Sequence, residues 1–193
     1  MEITFKKSLV LLAFVCFTLG AKAQYSAVPD TSRLSIGIDG AITSGGFKDQ
    51  YKAGVGASIQ YDLPLSEHLY VTANAGYLNL FANNGSSNPN YIVGVKSANM
   101  GVAPVKLGLK LFIIRTFYIQ GEAGEAFLLN KNSVYAINST AFTYDGQMGI
   151  LFRRTKKSYI EAGIKYQLLQ SYFGDGNYGV MWGARVAYAF NLK

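Results

Sequence analysis

Residues 159–169, YIEAGIKYQLL, alternate between two kinds of side chain with almost no slip. Ile160, Ala162, Ile164, Tyr166 and Leu168 share one face; Glu161, Gly163, Lys165 and Gln167 share the other. A period of two marks a β-strand whose faces meet different surroundings. It leaves open which face looks inward. In a soluble sheet the apolar face packs on a core and the charges meet water. In a closed sheet within a bilayer the apolar face meets lipid and the charges line the interior.

The N-terminus bears on that choice. MEITFKK puts two adjacent lysines ahead of SLVLLAFVCFTLG, and AKA then closes with small residues before Gln24. The apolar run falls short of the ~18 residues of a spanning helix. This is the pattern of a secretory signal peptide over residues 1–23, cut after Ala23, leaving residues 24–193 as one mature domain. Cys16 is the only cysteine and leaves with the signal. Phe14 and Val15 stand before it, where a lipoprotein acceptor needs small residues. An exported chain without cysteine has neither a disulfide framework nor a thiolate metal site. It must be held by its core or by a membrane. Losing Lys6, Lys7, Lys22 and Glu2 lowers the formal charge of +7 by two. The excess that remains is dispersed, with its densest cluster RRTKK at 153–157. Without a basic stripe, nucleic acid is not a partner.

Beyond the signal no apolar run is long enough for a membrane helix, so a mature chain that spans a bilayer must close into a barrel. The 21 glycines, 14 tyrosines and 12 phenylalanines suit strands and turns. Alternating segments recur at about 32–42, 52–63, 69–81, 102–113, 116–128, 141–152, 159–169 and 178–190. Connections after the second, fourth and sixth are tight: PLSEH, IR and RRTKK. Those after the first, third, fifth and seventh are longer and polar, above all ANNGSSNPNYIVGVKSANM. Strand lengths lie near the ~9–11 residues that a tilted strand needs to cross a bilayer. The pattern predicts an all-β fold, an eight-stranded antiparallel transmembrane β-barrel in up-and-down meander order, with both chain ends on the short-turn side. Pro104 has no amide donor and is expected near a strand end or at a bulge. YIVGV at 91–95 is either a further short strand or an extension above the membrane.

The polar face carries Gly54, Gly56, Gly76, Gly108, Gly124, Gly149, Gly163 and Gly183 beside isolated charges of both signs. A water-facing sheet avoids so much glycine. The crowded interior of a small barrel uses it to make room for long side chains. Lys106, Lys110, Glu122, Asp145, Glu161, Lys165 and Arg185 are therefore the expected luminal charge network. The IR turn should bring Lys106 near Glu122, and RRTKK should bring Asp145 near Lys165, with Arg185 and Glu161 joining them.

Residues 103–129, APVKLGLKLFIIRTFYIQGEAGEAFLL, resemble the strand–turn–strand signature of the PorT-like outer-membrane β-barrel family. YIEAGIKYQLLQSYF at 159–173 resembles that family's penultimate strand and following loop, and RVAYAFNLK at 185–193 its final strand. The resemblance implies an eight-stranded barrel of the bacterial outer membrane, with outer-membrane lipid and the barrel assembly machinery as partners. Lys193 departs from the pattern, since a charge follows Phe190 and Leu192 where an aromatic end is usual.

Catalytic chemistry is sparse. His68, the only histidine, stands near Glu67 in a tight turn without a second His or Cys to make a metal site or a base pair. Glu122 and Glu125 are an odd number of residues apart, so they face opposite sides of one strand and cannot act together on a glycoside. GDG at 174–176 and NNG at 83–85 carry too few oxygen ligands for calcium and read as turns. No catalytic, cofactor or metal residue is assigned. The expectation is a non-enzymatic barrel with a structural or surface-interaction role through its long loops. The alternative is a narrow pore or small-ligand transport barrel, and a soluble lipocalin-like binder would need an apolar interior. An eight-stranded barrel is normally filled by its own side chains, so a plugged lumen is expected.

Overall fold

The computed structural model describes residues 31–84, 98–155, 157–173 and 177–192. The expected signal peptide at 1–23, the stretch 91–95, the expected turn GDG at 174–176 and Lys193 lie outside the described residues. Eight strands follow one another: β1 (Arg33–Ser44), β2 (Tyr51–Pro64), β3 (Leu69–Ala82), β4 (Met100–Phe112), β5 (Phe117–Leu128), β6 (Thr140–Arg153), β7 (Ser158–Gln170) and β8 (Tyr178–Asn191). Each pairs antiparallel with the next, and β8 returns to β1 from Arg33↔Asn191 to Ser44↔Val180, closing the barrel. Closure leaves no edge strand and pairs the backbone groups that lipid could not satisfy. Two one-turn helices, α1 (Phe47–Gln50) and α2 (Lys131–Val134), sit in the loops after β1 and β5. The meander and all eight strands agree with the sequence reading, with boundaries shifted by at most two residues.

The exposures answer the question of the two faces. Ile38 on β1 is 68% exposed and Leu107 on β4 is 65% exposed, and Ile36, Ile59, Leu109, Met148, Ile164 and Val186 continue the same band around the barrel. A continuous apolar belt of that size is far beyond what a protein leaves in water, so it faces lipid. Aromatic side chains cluster toward the strand ends. Near the loop end Tyr166 packs edge-on against Trp182 with ring centroids 4.9 Å apart, and Tyr144 packs on Phe142 and Tyr178. Toward the turn end Arg154 lies over the outward Tyr188 ring. Rings with an apolar body and a polar tip suit the two interfaces of a membrane.

Pro104 departs from its expected place. It lies well inside β4, opposite Ala126 of β5, and causes no shift of register. Its missing donor falls instead on the other side, where the β3–β4 ladder is interrupted between Ala75↔Val105 and Leu78↔Val102 and then resumes in the same frame. A proline with its donor side turned to a local gap in the ladder need not sit at a strand end. The register shift that does occur is at the start of β2, between Tyr51 and Ala53.

Candidate functional site

The interior is the chemically distinctive part of the molecule, and it is built in three layers. At the turn end Tyr70, Phe112, Tyr118, Leu151, Tyr159 and Ala189 form an apolar layer. At the loop end Leu78, Leu80, Met100, Val102, Leu128, Leu169 and Met181 form another. Between them lie the charges. The sequence reading expected a polar lumen throughout; the two apolar caps are an addition to it.

Alternation places Lys106 and Lys110 of β4 inward, together with Glu122 of β5, Asp145 of β6, Glu161 and Lys165 of β7, and Arg185 of β8. Lys106 Nζ lies 2.9 Å from Glu122 Oε2 and also pairs with Asp145. Lys110 Nζ is 2.9 Å from Asp62 Oδ2 and 3.2 Å from Glu161 Oε2. Arg185 Nη1 reaches Glu161 Oε1 at 3.2 Å. Three further charges belong here that the sequence reading left out: Arg33, Asp39 and Asp62. Arg33 is 1% exposed, stacks on the rings of Tyr70 and Phe112 at 4.4 and 4.9 Å, and approaches Asp62 at 3.7 Å. The signal was present, since Asp39 and Asp62 share the parity of Gly37 and Gly56 on their own strands.

One expected pair does not form. The RRTKK turn sets Arg153 opposite Tyr159, and that frame puts Asp145 opposite Gln167 and Lys165 opposite Gln147. Asp145 therefore reaches across β5 to Lys106, and Lys165 reaches across β8 to Asp39 Oδ1 at 2.6 Å. Gly183 makes the second reach possible: a Cβ there would fall 2.9 Å from Lys165 Cγ and Cε.

Uncharged groups extend the network. Tyr118 donates to Glu161 at 2.8 Å and accepts from Gln147 at 2.5 Å. Gln60 donates to Asp62 at 2.6 Å, Thr72 donates to Glu122 at 3.1 Å, and Ser58 links Arg185 to Asp39. Five basic groups (Arg33, Lys106, Lys110, Lys165, Arg185) face five acids (Asp39, Asp62, Glu122, Asp145, Glu161). Buried charges need partners of this kind, because an uncompensated ion in a dry interior is expensive. One space beside Asp39, Lys106 and Lys165 measures about 20 Å³, room for about one water.

The loop end is tied together by Tyr172. Its phenol donates to the Ala126 carbonyl at 2.9 Å, and its own carbonyl accepts from Ile137 and Asn138 at 3.0 and 2.9 Å. The loops after β5 and β7 are thereby joined over the mouth. Burial, helped by the Glu125 carboxylate, pushes the Tyr172 phenol well above the ordinary tyrosine range. Glu122 and Glu125 do face opposite sides, inward and outward. Among the described residues no group of three or more His, Cys, Asp or Glu is placed to hold a metal ion.

No protein-family model matches the sequence, and no curated protein does. Solved structures do resemble it. Neisserial surface protein A aligns with 83% of this chain and 97% of its own, at 8% identity and a TM-score of 0.61. The outer-membrane protein OprG of Pseudomonas aeruginosa aligns with 88% of this chain and 99% of its own, at 9% identity and a TM-score of 0.53. Outer-membrane protein AlkL, determined in lipid bilayers, aligns with 89% of this chain and 94% of its own, at 9% identity and a TM-score of 0.54. At such identities the likeness speaks to fold alone, and that fold is the eight-stranded outer-membrane barrel.

Proposed function

We propose that the chain is a non-enzymatic protein of the bacterial outer membrane, exported through a signal peptide cut after Ala23. Its barrel is an anchor, and its long loops supply a structural or surface-interaction role outside the cell. The single observation that carries this reading is the lumen: ten charges of balanced sign packed with two apolar layers, Arg33 stacking on rings of the one at the turn end. A conduit needs a continuous wet path, whereas a filled barrel leaves only its rims to act. The resemblance to the PorT-like family and the outer-membrane fold of the structural neighbours support the location. Barrel assembly machinery and outer-membrane lipid are the partners this location requires.

Labelling on whole cells tests the reading. Tyr135, in the loop after β5, is 89% exposed, and the mature chain has no cysteine. In the Tyr135→Cys variant a membrane-impermeant maleimide should label intact cells. Labelling only after the outer membrane is opened would place the loops on the wrong side and overturn the surface role.

A further inference from the structure

Above the plug, the loop end contains a cavity of about 390 Å³, within the range of small-molecule sites. Its inner wall is Phe47 of α1, Met100 of β4, Leu169 of β7 and the ring of Tyr172. The half-buried Gln50 and the exposed Gln170 and Asn177 also line it, toward its mouth; Gln170 Oε1 accepts from the Phe142 amide at 3.4 Å. Among the described residues that line it there is no Asp, Glu, Lys, Arg or His.

The wall is packed, not incidental. A Cβ at Gly179 would fall 2.8 Å from Phe47 Cδ1, so glycine at 179 lets that ring lie against β8. Tyr172 is fixed through its phenol and its carbonyl, as described above. Leu80 and Met181, 0% and 1% exposed, belong to the same buried apolar layer as Met100, Leu169 and Tyr172, and the ion-pair layer lies beyond it. A molecule entering here has no way through.

We infer that this cavity is a blind cup for an uncharged molecule with an apolar, ring-bearing body and a hydrogen-bonding end, of which a neutral aryl glycoside is the type. The apolar inner wall would take the ring. The amides at the mouth would exchange hydrogen bonds with hydroxyls while still reached by water. A charged ligand would give up its hydration with no counter-charge among the described lining residues to meet it. The inference deepens the surface reading, on which it rests for the side from which ligand arrives; the fit of ligand to cup does not depend on that side.

The chain carries its own reporters. Of its four methionines, Met1 belongs to the signal segment, Met100 lines the cup, Met181 is buried in the same apolar layer as Met100 and Met148 faces lipid. The mature protein, labelled with carbon-13 at the methionine methyls and placed in lipid nanodiscs, is titrated with phenyl β-D-glucoside. The Met100 methyl should shift saturably while Met148 stays in place. Gln50→Trp, which narrows the mouth from the loop side, should abolish the shift without altering the folded spectrum of Met148. Phenyl phosphate, of like size but charged, should leave Met100 unmoved. The inference is overturned by equal movement of Met148 and Met100, by no saturable shift, by a shift indifferent to Gln50→Trp, or by equal binding of phenyl phosphate. Whole-cell labelling at position 135 is read separately, so a failed cup and a failed surface role give different results.

Discussion

Ile164 and Gly163 are neighbours in sequence and meet opposite surroundings, so a single residue can report which side of the wall it occupies. Ile164 lies at the middle of β7 and is 54% exposed on the lipid side. An Ile164→Arg change should cost about 2–4 kcal/mol if the site is near the bilayer midplane, read as a lower urea midpoint for refolding into liposomes. At Gly163 the penalty has another origin. A Cβ there would fall 2.9 Å from Tyr118 Oη and from Gln147 Nε2, and 3.0 Å from the Met148 carbonyl. Gly163→Ala should therefore destabilise by roughly 1–3 kcal/mol through crowding and should disturb the Tyr118–Glu161 bond, whereas Ile164→Val should be nearly silent. A silent Gly163→Ala would count against the inward assignment. These faces were legible in the sequence because parity is strictly local. Arg33, Asp39 and Asp62 obeyed the same parity and were missed because each sits singly in an otherwise small or apolar stretch.

Among the elements, the strands were legible and their cross-lumen partners were not. Pairing along a hairpin follows from turn length, but the contacts of Asp145 with Lys106 and of Lys165 with Asp39 skip a strand and depend on the curvature of the closed sheet. Leu78 and Leu80 illustrate a second limit. They share the inward parity of Thr72 and Asn74, and an apolar residue on the polar face reads as a lapse in the alternation until the capping layer is seen. The rim loops depend on Tyr172 in the same non-local way. Tyr172→Phe removes one buried hydrogen bond, worth about 1 kcal/mol, and with it the anchor that holds the carbonyl accepting from Ile137 and Asn138. Amide exchange at those two positions should accelerate while exchange in β5 and β7 stays unchanged. If both loops keep their protection, the phenol is not the tie between them.

At the scale of the whole molecule the charges divide into connected groups whose imbalances oppose one another. Arg33, Asp62, Lys110, Glu161 and Arg185 form one chain with a base in excess; Lys106 with Glu122 and Asp145 forms another with an acid in excess; Lys165 and Asp39 balance. Lys106 is thus the only direct counter-ion for two acids among the described ion pairs, and Asp145 Oδ1 already lacks a hydrogen-bond partner. Lys106→Met would leave Glu122 and Asp145 buried and mutually repelling, a change that should cost about 3–5 kcal/mol. Adding Glu122→Gln and Asp145→Asn removes the charges that had lost their partner and should return most of that stability, even though three ionic groups are then gone. Urea titration in liposomes gives the order directly: unmodified protein most stable, the triple variant next, the single variant last. The same barrels in planar bilayers test the plug. The unmodified protein should conduct little or nothing, and Lys106→Met should leak as the repelling acids draw in water. A large, steady conductance of the unmodified protein would show that the network lines a path instead of filling one. The transport reading would then lead, with Lys106, Lys110 and Arg185 setting a preference for anions.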